Sequence, residues 1–157
     1  MTSKSFYQDQ AQAYCDQTFG VDPSSFLLPL DRHLSLGACI LDVGCGAGRD
    51  MLWLANRGFS CAGLDSSPAL AELARRHTGL SVIEADFESF DFHEMDIDAL
   101  LLVGALVHVP HERFQLIFSR ILRALKPEGH VLLTLKQGQG TQTRPDGKKN
   151  ELGSKTV

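Results

Sequence analysis

The sequence lacks several features that mark common classes of protein. Its four cysteines, Cys15, Cys39, Cys45 and Cys61, form no C-x-x-C pair, which disfavours both a disulfide framework and a cysteine-rich zinc site. No apolar run is long enough to span a membrane, and the polar first ten residues lack the apolar centre of a secretory signal. Most of the cysteines lie in or beside apolar segments, as reduced and buried thiols do. These absences favour a cytoplasmic protein.

The sequence also lacks the positive charge that proteins use to bind nucleic acids. Its 157 residues include 15 Lys and Arg against 19 Asp and Glu, for a net charge of −4, and no basic stripe is present. Hydrophobic residues make up 43% and charged residues 22%, which is typical of an ordinary globular domain. We therefore expect one folded domain without nucleic-acid or membrane partners.

Apolar strands and amphipathic helices alternate along most of the chain. Strands are predicted at 40–43, 59–64, 80–85, 97–103 and 130–135, and helices at 22–36, 49–56, 68–78 and 111–124. The fourth strand is almost wholly apolar, as in the centre of a parallel sheet that is covered on both faces. Helical crossovers between parallel strands are right-handed. The predicted fold class is therefore α/β, a doubly wound, Rossmann-like parallel sheet in three layers.

The most specific signal lies between the first strand and the helix that follows it. Glycine occupies every second position there, at Gly44, Gly46 and Gly48, in what we call the glycine loop (residues 44–48). Because glycine lacks a Cβ atom, a ligand can lie directly against the backbone of this loop. Asp42, two residues upstream, places a negative charge beside it.

The G-x-G-x-G spacing differs from the G-x-G-x-x-G spacing of dinucleotide-binding enzymes. With Leu-Asp-Val before it and Arg49 after it, the loop resembles motif I of the class I S-adenosylmethionine-dependent methyltransferases. The resemblance covers about residues 6–135 and implies S-adenosylmethionine as the cofactor. It assigns contacts of the cofactor with the loop to Asp42, Gly44, Cys45, Gly46 and Gly48. An NAD-dependent oxidoreductase is the disfavoured alternative.

Two further strands end in residues suited to a nucleoside. Asp65, with Ser66 after it, ends the second strand, and its carboxylate can accept two hydrogen bonds from a ribose diol. Dinucleotide-binding enzymes also carry an acid here, so Asp65 indicates nucleoside binding without separating the two classes. Asp86 and Phe87 follow the third strand and resemble the adenine contact of these methyltransferases, in which an apolar side chain packs on the ring.

The resemblance implies contacts with the remaining parts of the cofactor as well. Val103 and Gly104 end the fourth strand, where glycine permits close approach of the methionyl part. Arg49 can pair with the methionyl carboxylate through its planar guanidinium. Tyr14 lies in a segment similar to the one that related enzymes fold over the cofactor. It either closes the pocket or only packs against neighbouring residues.

His108 is the candidate catalytic residue. It stands where related enzymes often carry a histidine before the next helix, and an imidazole there can orient a substrate or accept its proton. Tethering of a loop is the alternative role. His108 and His111 form H-x-x-H, but neither Cys nor a carboxylate stands nearby at ligand spacing, so no metal is expected.

The expected function is methyl transfer from S-adenosylmethionine to a small-molecule acceptor, with an inactive cofactor-binding module as the alternative. The methyltransferase domain is predicted over residues 1–136. Residues 137–157 are rich in Gly, Thr, Lys and Gln and are expected to form a disordered or incomplete tail. The family's sheet normally continues after the fifth strand. We therefore expect either a fragment or a homodimer formed through the exposed edge at 131–135.

Overall fold

The structure, a computed structural model, describes residues 3–136, 140–143 and 149–152. Within this part, five parallel strands form a sheet in the order β3-β2-β1-β4-β5, counted along the chain. Their bounds are β1 Cys39–Val43, β2 Ser60–Asp65, β3 Val82–Glu84, β4 Ile97–Val103 and β5 Leu125–Thr134. The strand order reverses between β1 and β4, where open α/β sheets bind their ligands. The predicted fold class is confirmed.

Five helices surround this sheet in the described part of the chain. They are α1 Ser3–Thr18, α2 Ser24–Asp31, α3 Arg49–Ala55, α4 Pro68–Thr78 and α5 His111–Ile121, with 3₁₀ turns at Leu106–His108 and Leu122–Ala124. Among the described residues, no helix is long and apolar enough to cross a membrane.

Apolar side chains on the two faces of the sheet form two separate cores. In β1, Ile40 packs into a core with α2, α3 and α4, whereas Leu41 packs into a second core with α5. Both side chains are at most 2% exposed, and complete burial of such a side chain stabilises the fold by about 1.5–3 kcal/mol. Because neighbouring residues of a strand point to opposite faces, burial on both faces requires apolar residues at consecutive positions, as at 40–41 in β1 and 99–102 in β4.

Local sequence signals place α4 accurately. Ser67 caps its start, with the hydroxyl oxygen accepting a hydrogen bond from the Leu70 amide at 3.3 Å. Pro68 occupies the first helical position, which needs no amide hydrogen. Gly79 ends the helix in the left-handed conformation, at φ 69°. The carboxyl end of β2 and the first turn of α4 are thereby held together.

Two short strands lie in the segment for which the sequence analysis expects disorder or an incomplete tail. β6 (Gly140–Thr143) pairs antiparallel with β7 (Lys149–Leu152). At these residues the chain is paired in strands, and the rest of 137–157 lies outside the described part, so the domain bounds 1–136 stay a prediction. Pro145, Asp146 and Gly147 between the strands are a typical turn sequence, and threonine favours strands. The signal for a strand pair was therefore present in the sequence.

Candidate functional site

A cavity of about 600 Å³ lies at the carboxyl ends of the strands. Its size suits a small organic ligand. All five strands of the sheet bring residues to it, either from their last positions or from the loops that follow. The predicted residues that line it are Tyr14, Gly44, Gly46, Asp65, Ser66, Asp86, Phe87, Val103, Gly104 and His108.

A smaller cavity of about 80 Å³ borders the same loop. The predicted residues Asp42, Cys45 and Arg49 line it. Burial raises the pKa of the Cys45 thiol, so this side chain stays protonated and acts as packing. Gly48 lines neither cavity. A Cβ atom on Gly48 would lie 2.8 Å from Thr78 Cγ2, so this glycine allows the loop to pack against α4.

Hydrogen bonds hold the glycine loop against the end of β2. The Gly44 amide donates to the Leu64 carbonyl at 2.7 Å, and the Gly46 amide donates to the Asp65 carboxylate at 2.9 Å. The three glycines of the loop all have positive φ values, between 56° and 89°. Residues with a Cβ atom rarely adopt this backbone conformation. The conformation of the loop therefore requires glycine at these three positions, independently of any ligand.

Asp65 links the loop, the second strand and the large cavity. Its carboxylate is buried, and besides the Gly46 amide it accepts a hydrogen bond from the Ser67 amide at 2.9 Å. A carboxylate oxygen can accept about two hydrogen bonds. The group that organises the loop is therefore also able to accept hydrogen bonds from a ligand in the cavity.

Asp42 is a buried carboxylate at the border of the smaller cavity. It is 3% exposed, and no residue in the described part of the chain donates a hydrogen bond to its carboxylate. Burial, followed by the negative charges of Asp50 and Asp65, raises the pKa of Asp42 well above its ordinary value. An unpaired buried carboxylate is costly, so Asp42 requires either a proton or a cationic partner.

Arg49 lines the smaller cavity together with Asp42, and its positive charge partly offsets the rise in the Asp42 pKa. Its Nε atom is 2.6 Å from a carboxylate oxygen of Asp50, and Nη1 donates to the Thr18 carbonyl at 3.4 Å. The guanidinium carbon also lies 5.6 Å from the centre of the Phe26 ring. These contacts fix the guanidinium beside the cavity and tie the start of α3 to the end of α1.

Tyr14 covers the glycine loop from α1. A Cβ atom on Gly46 would lie 3.4 Å from Tyr14 Cε1, so the ring packs directly on the bare backbone of that residue. Tyr14 lines both cavities. Ala11, Cys15 and Leu70 form a buried cluster that anchors α1 to α4. The ring therefore both packs against the loop and forms a wall of the site.

The far side of the large cavity is formed after β4 and β5. A Cβ atom on Gly104 would meet nothing within 4 Å, so the space beside this residue is open. The Gly104 amide donates to the Thr134 hydroxyl oxygen at 2.8 Å. His108 ends the 3₁₀ turn Leu106–His108 and lines this cavity. Among the described residues, no three His, Cys, Asp or Glu side chains are grouped so as to hold a metal ion.

Sequence reasoning missed about as many lining residues as it found. In the large cavity these are Thr18, Leu70, Glu88, Ala105, Val107, Val109, Thr134, Leu135 and Lys136, and in the smaller one Ala47 and Asp50. The residues after β5 could have been found, because the strand-end rule applied to the first four strands holds equally for the fifth. No sequence signal marks Thr18 as a lining residue, because it reaches the cavity through the packing of α1 on distant parts of the chain.

Comparisons with known proteins agree with this geometry. Residues 40–129 match the family model described as a methyltransferase domain. Carboxy-S-adenosyl-L-methionine synthase of Chromohalobacter salexigens is 30% identical over 117 residues, which cover 68% of this chain and 43% of that protein. A ubiquinone biosynthesis O-methyltransferase of Alkalilimnicola ehrlichii is 34% identical over 104 residues, covering 62% and 41%. The chain spans less than half the length of these relatives.

Solved structures show the same fold. A TehB-like SAM-dependent methyltransferase from Corynebacterium glutamicum superposes with a TM-score of 0.68 at 25% sequence identity, covering 81% of this chain and 71% of that one. The matched family segment runs from β1 into β5 and includes the glycine loop and the ends of β1 to β4 that line the cavity. The chain therefore belongs to the methyltransferase domain family, the class I S-adenosylmethionine-dependent methyltransferases that the sequence analysis predicts.

Proposed function

We propose that this protein transfers the methyl group of S-adenosylmethionine to a small-molecule acceptor in the cytoplasm. One observation carries the proposal. The Asp65 carboxylate holds the Gly46 amide at 2.9 Å, so the acid and the loop form one wall of a cavity of about 600 Å³. These are the two elements expected to bind the ribose and the methionyl part of the cofactor. Four free thiols fit a reducing compartment.

The smaller cavity fits the amino-acid end of the cofactor. Such an end carries one ammonium and one carboxylate group. Asp42 offers a buried carboxylate that lacks a hydrogen-bond donor in the described part of the chain, and Arg49 offers a guanidinium. Asp42 would hold the ammonium group, and Arg49 the carboxylate. The residues present thus match both charges of the group that they are proposed to bind.

The large cavity would receive the nucleoside. Asp65 and Ser66 would bind the ribose hydroxyls, while Asp86 and Phe87 would contact the adenine edge and face. All four line the same cavity. Gly44, Val103 and Gly104 would contact the chain that links ribose and sulfur. Cys45 and Gly48 would support the loop through packing.

The protein's part in the chemistry is positioning, exclusion of water and removal of a proton. When bound, S-adenosylmethionine would supply an activated methyl group for the acceptor's oxygen or nitrogen, with S-adenosylhomocysteine as the leaving group. His108 would accept the proton that the acceptor loses. Tyr14 and α1 cover the loop and would limit the access of water.

Calorimetric titration with S-adenosylhomocysteine, followed by a radiolabelled methyl-transfer assay on small-molecule acceptors, tests the proposal. We expect S-adenosylhomocysteine to bind and methyl transfer to be detected. His108→Asn should slow the transfer without weakening the binding of S-adenosylhomocysteine. Folded protein that binds neither cofactor form would refute the proposal. Binding without transfer to any acceptor would leave a cofactor-binding module.

A further inference from the structure

The two ends of the large cavity differ in charge. Asp65 ends β2 and Asp86 follows β3, near one edge of the sheet, whereas Lys136 follows β5, at the opposite edge. Neighbouring strands lie about 4.8 Å apart, so the ends of β2 and β5 are separated by roughly 14 Å. A cofactor with its ribose at Asp65 therefore leaves the end beside β5 to the second substrate.

Hydrogen-bond donors mark this second end. The Thr134 hydroxyl oxygen accepts the Gly104 amide hydrogen at 2.8 Å, so its own proton is directed to another acceptor. Lys136 carries an exposed ammonium group that forms no ion pair within the described part of the chain. Both residues line the cavity. The end beside β5 thus offers a cation and a hydroxyl donor to the same ligand.

The acid that lines the same cavity and could offset Lys136 is already compensated. Glu88 lies 2.7 Å from the Arg113 guanidinium, measured between Oε2 and Nη2. Its backbone carbonyl accepts a hydrogen bond from Arg120 at 2.8 Å. These contacts turn the Glu88 charge toward α5. Lys136 is therefore the charged side chain at this end of the cavity that no ion pair in the described part of the chain offsets.

Apart from His108, which lies between Val107 and Val109, the side chains that line the rest of this end are apolar. Val107 and Val109, from the segment between β4 and α5, line it together with Leu135, which is 52% exposed. An apolar wall beside a single cation and a hydroxyl donor complements a hydrocarbon skeleton that carries one anionic oxygen group.

We propose that the methyl acceptor is a small organic acid, bound through its carboxylate to Lys136 and Thr134 and through its apolar skeleton to Val107, Val109 and Leu135. This inference rests on the proposed function. It adds to that function the chemical class of the acceptor and the residues that select it.

The test uses protein saturated with S-adenosylhomocysteine and pairs of probes that differ only in charge. Suitable pairs are 4-hydroxybenzoate with 4-hydroxybenzamide and phenylacetate with phenylacetamide, with binding measured by ligand-detected NMR and calorimetry. We expect each acid to bind about tenfold or more tightly than its amide, and added salt to reduce that preference. Lys136→Gln should abolish the preference and leave the affinity for S-adenosylhomocysteine unchanged.

Arg123→Gln is the matched control, because Arg123 is exposed and lines neither cavity. It removes the same charge and should keep the preference for acids. Amides that bind as well as acids, or a preference that survives Lys136→Gln, would overturn the inference while the proposed function stands. Failure to bind S-adenosylhomocysteine at all would instead remove the proposed function, and the inference with it.

Discussion

The two edges of the central sheet are built in opposite ways. β3 has only three residues, and Arg75 covers it by donating to the Val82 carbonyl and to the Glu84 carboxylate, both at 2.7 Å. β5 has ten residues and, in the described part of the chain, pairs only with β4. Its side chains at 131–133 are apolar and half-buried. One edge is short and covered, and the other is long and open.

The same contrast divides the cavity. On the side of β1, β2 and β3, which we propose binds the cofactor and call the cofactor half, polar groups find partners nearby in sequence or at the adjacent strand end. Asp65 does so with Gly46 and Ser67. On the side of β4 and β5, which we propose binds the acceptor and call the acceptor half, partners come from farther along the chain, as Gly104 does with Thr134. Short motifs thus determine the cofactor half, whereas long-range packing determines the acceptor half.

The largest expected effect concerns the folding of the cofactor half. Gly48 has φ 89°, and a Cβ atom there would lie 3.2 Å from Ala74 Cβ and closer still to Thr78. Gly48→Ala should therefore lower the free energy of unfolding by about 1–2 kcal/mol for the left-handed backbone and by about 1–3 kcal/mol more for crowding. Denaturant unfolding measures the sum.

Gly79 provides the matched control for this change. It also has positive φ, at 69°, but a Cβ atom there would meet nothing within 4 Å. Gly79→Ala should cost only the backbone part, about 1–2 kcal/mol. If both variants lose the same stability, the loop does not depend on close packing against α4 and our account of Gly48 is wrong.

The next effect concerns binding in the same half. Asp65→Ala should weaken the binding of S-adenosylhomocysteine by about 1.5–3 kcal/mol, the usual contribution of a hydrogen bond to a charged group. Calorimetry at matched folded fractions gives the value, because the loss of the Gly46 contact also loosens the loop. Glu84→Ala is the control, since Glu84 ends β3 without lining either cavity. Equal affinities for the Asp65 variant and the original protein would exclude the ribose contact.

The parts of the fold that the sequence predicts correctly are those that local sequence signals determine. Ser67, Pro68 and Gly79 fix the ends of α4, and the glycine loop fixes the turn from β1 into α3. Tertiary contacts determine the element ends that the sequence does not predict. The helix predicted over 22–36 ends at Asp31, and Leu36, assigned to its last turn, is 84% exposed.

The fifth strand shows the same limit of local reasoning. Pro127, Glu128 and Gly129 predict a turn before a strand at 130, and Glu128 does adopt a positive φ of 63°. The strand nevertheless begins at Leu125, which pairs with Ile97 ahead of an irregularity in the register. Pairing with β4 outweighs the turn signal. For the same reason, the residues that follow β5 were not recognised as part of the cavity.

A smaller effect concerns protons in the cofactor half. Burial and the charges of Asp50 and Asp65 raise the pKa of Asp42, and a bound ammonium group would lower it again. Binding of S-adenosylhomocysteine should therefore release protons, and its affinity should rise with pH between the pKa of the bound form and that of the free form. Calorimetry in buffers of different ionisation enthalpy detects this release.

Stability should change with pH in the opposite direction. Since the folded pKa of Asp42 lies above the unfolded value of about 4, the folded chain retains a proton that the unfolded chain has lost. The free energy of unfolding should thus fall as pH rises from about 4 toward the folded pKa. Asp42→Asn should remove both effects. Proton release that persists in this variant would assign the titration to another group.

The smallest effect returns to the open edge. We expect the 157-residue chain to self-associate weakly through β5, since each outward amide and carbonyl of a long apolar edge can pair with a second copy. Sedimentation over a range of concentrations measures this, and hydrogen exchange at the amides within 131–133 that point away from β4 should slow as the dimer forms. Leu133→Lys should reduce association. The melting of this variant must be checked, because Leu133 also packs against the α5 core.

Arg75→Ala uncovers the other edge but should add little association, because the three residues of β3 supply too few hydrogen bonds. A monomer at every concentration, with the outward amides of 131–133 already protected, would mean that β5 is covered and that the two edges are alike.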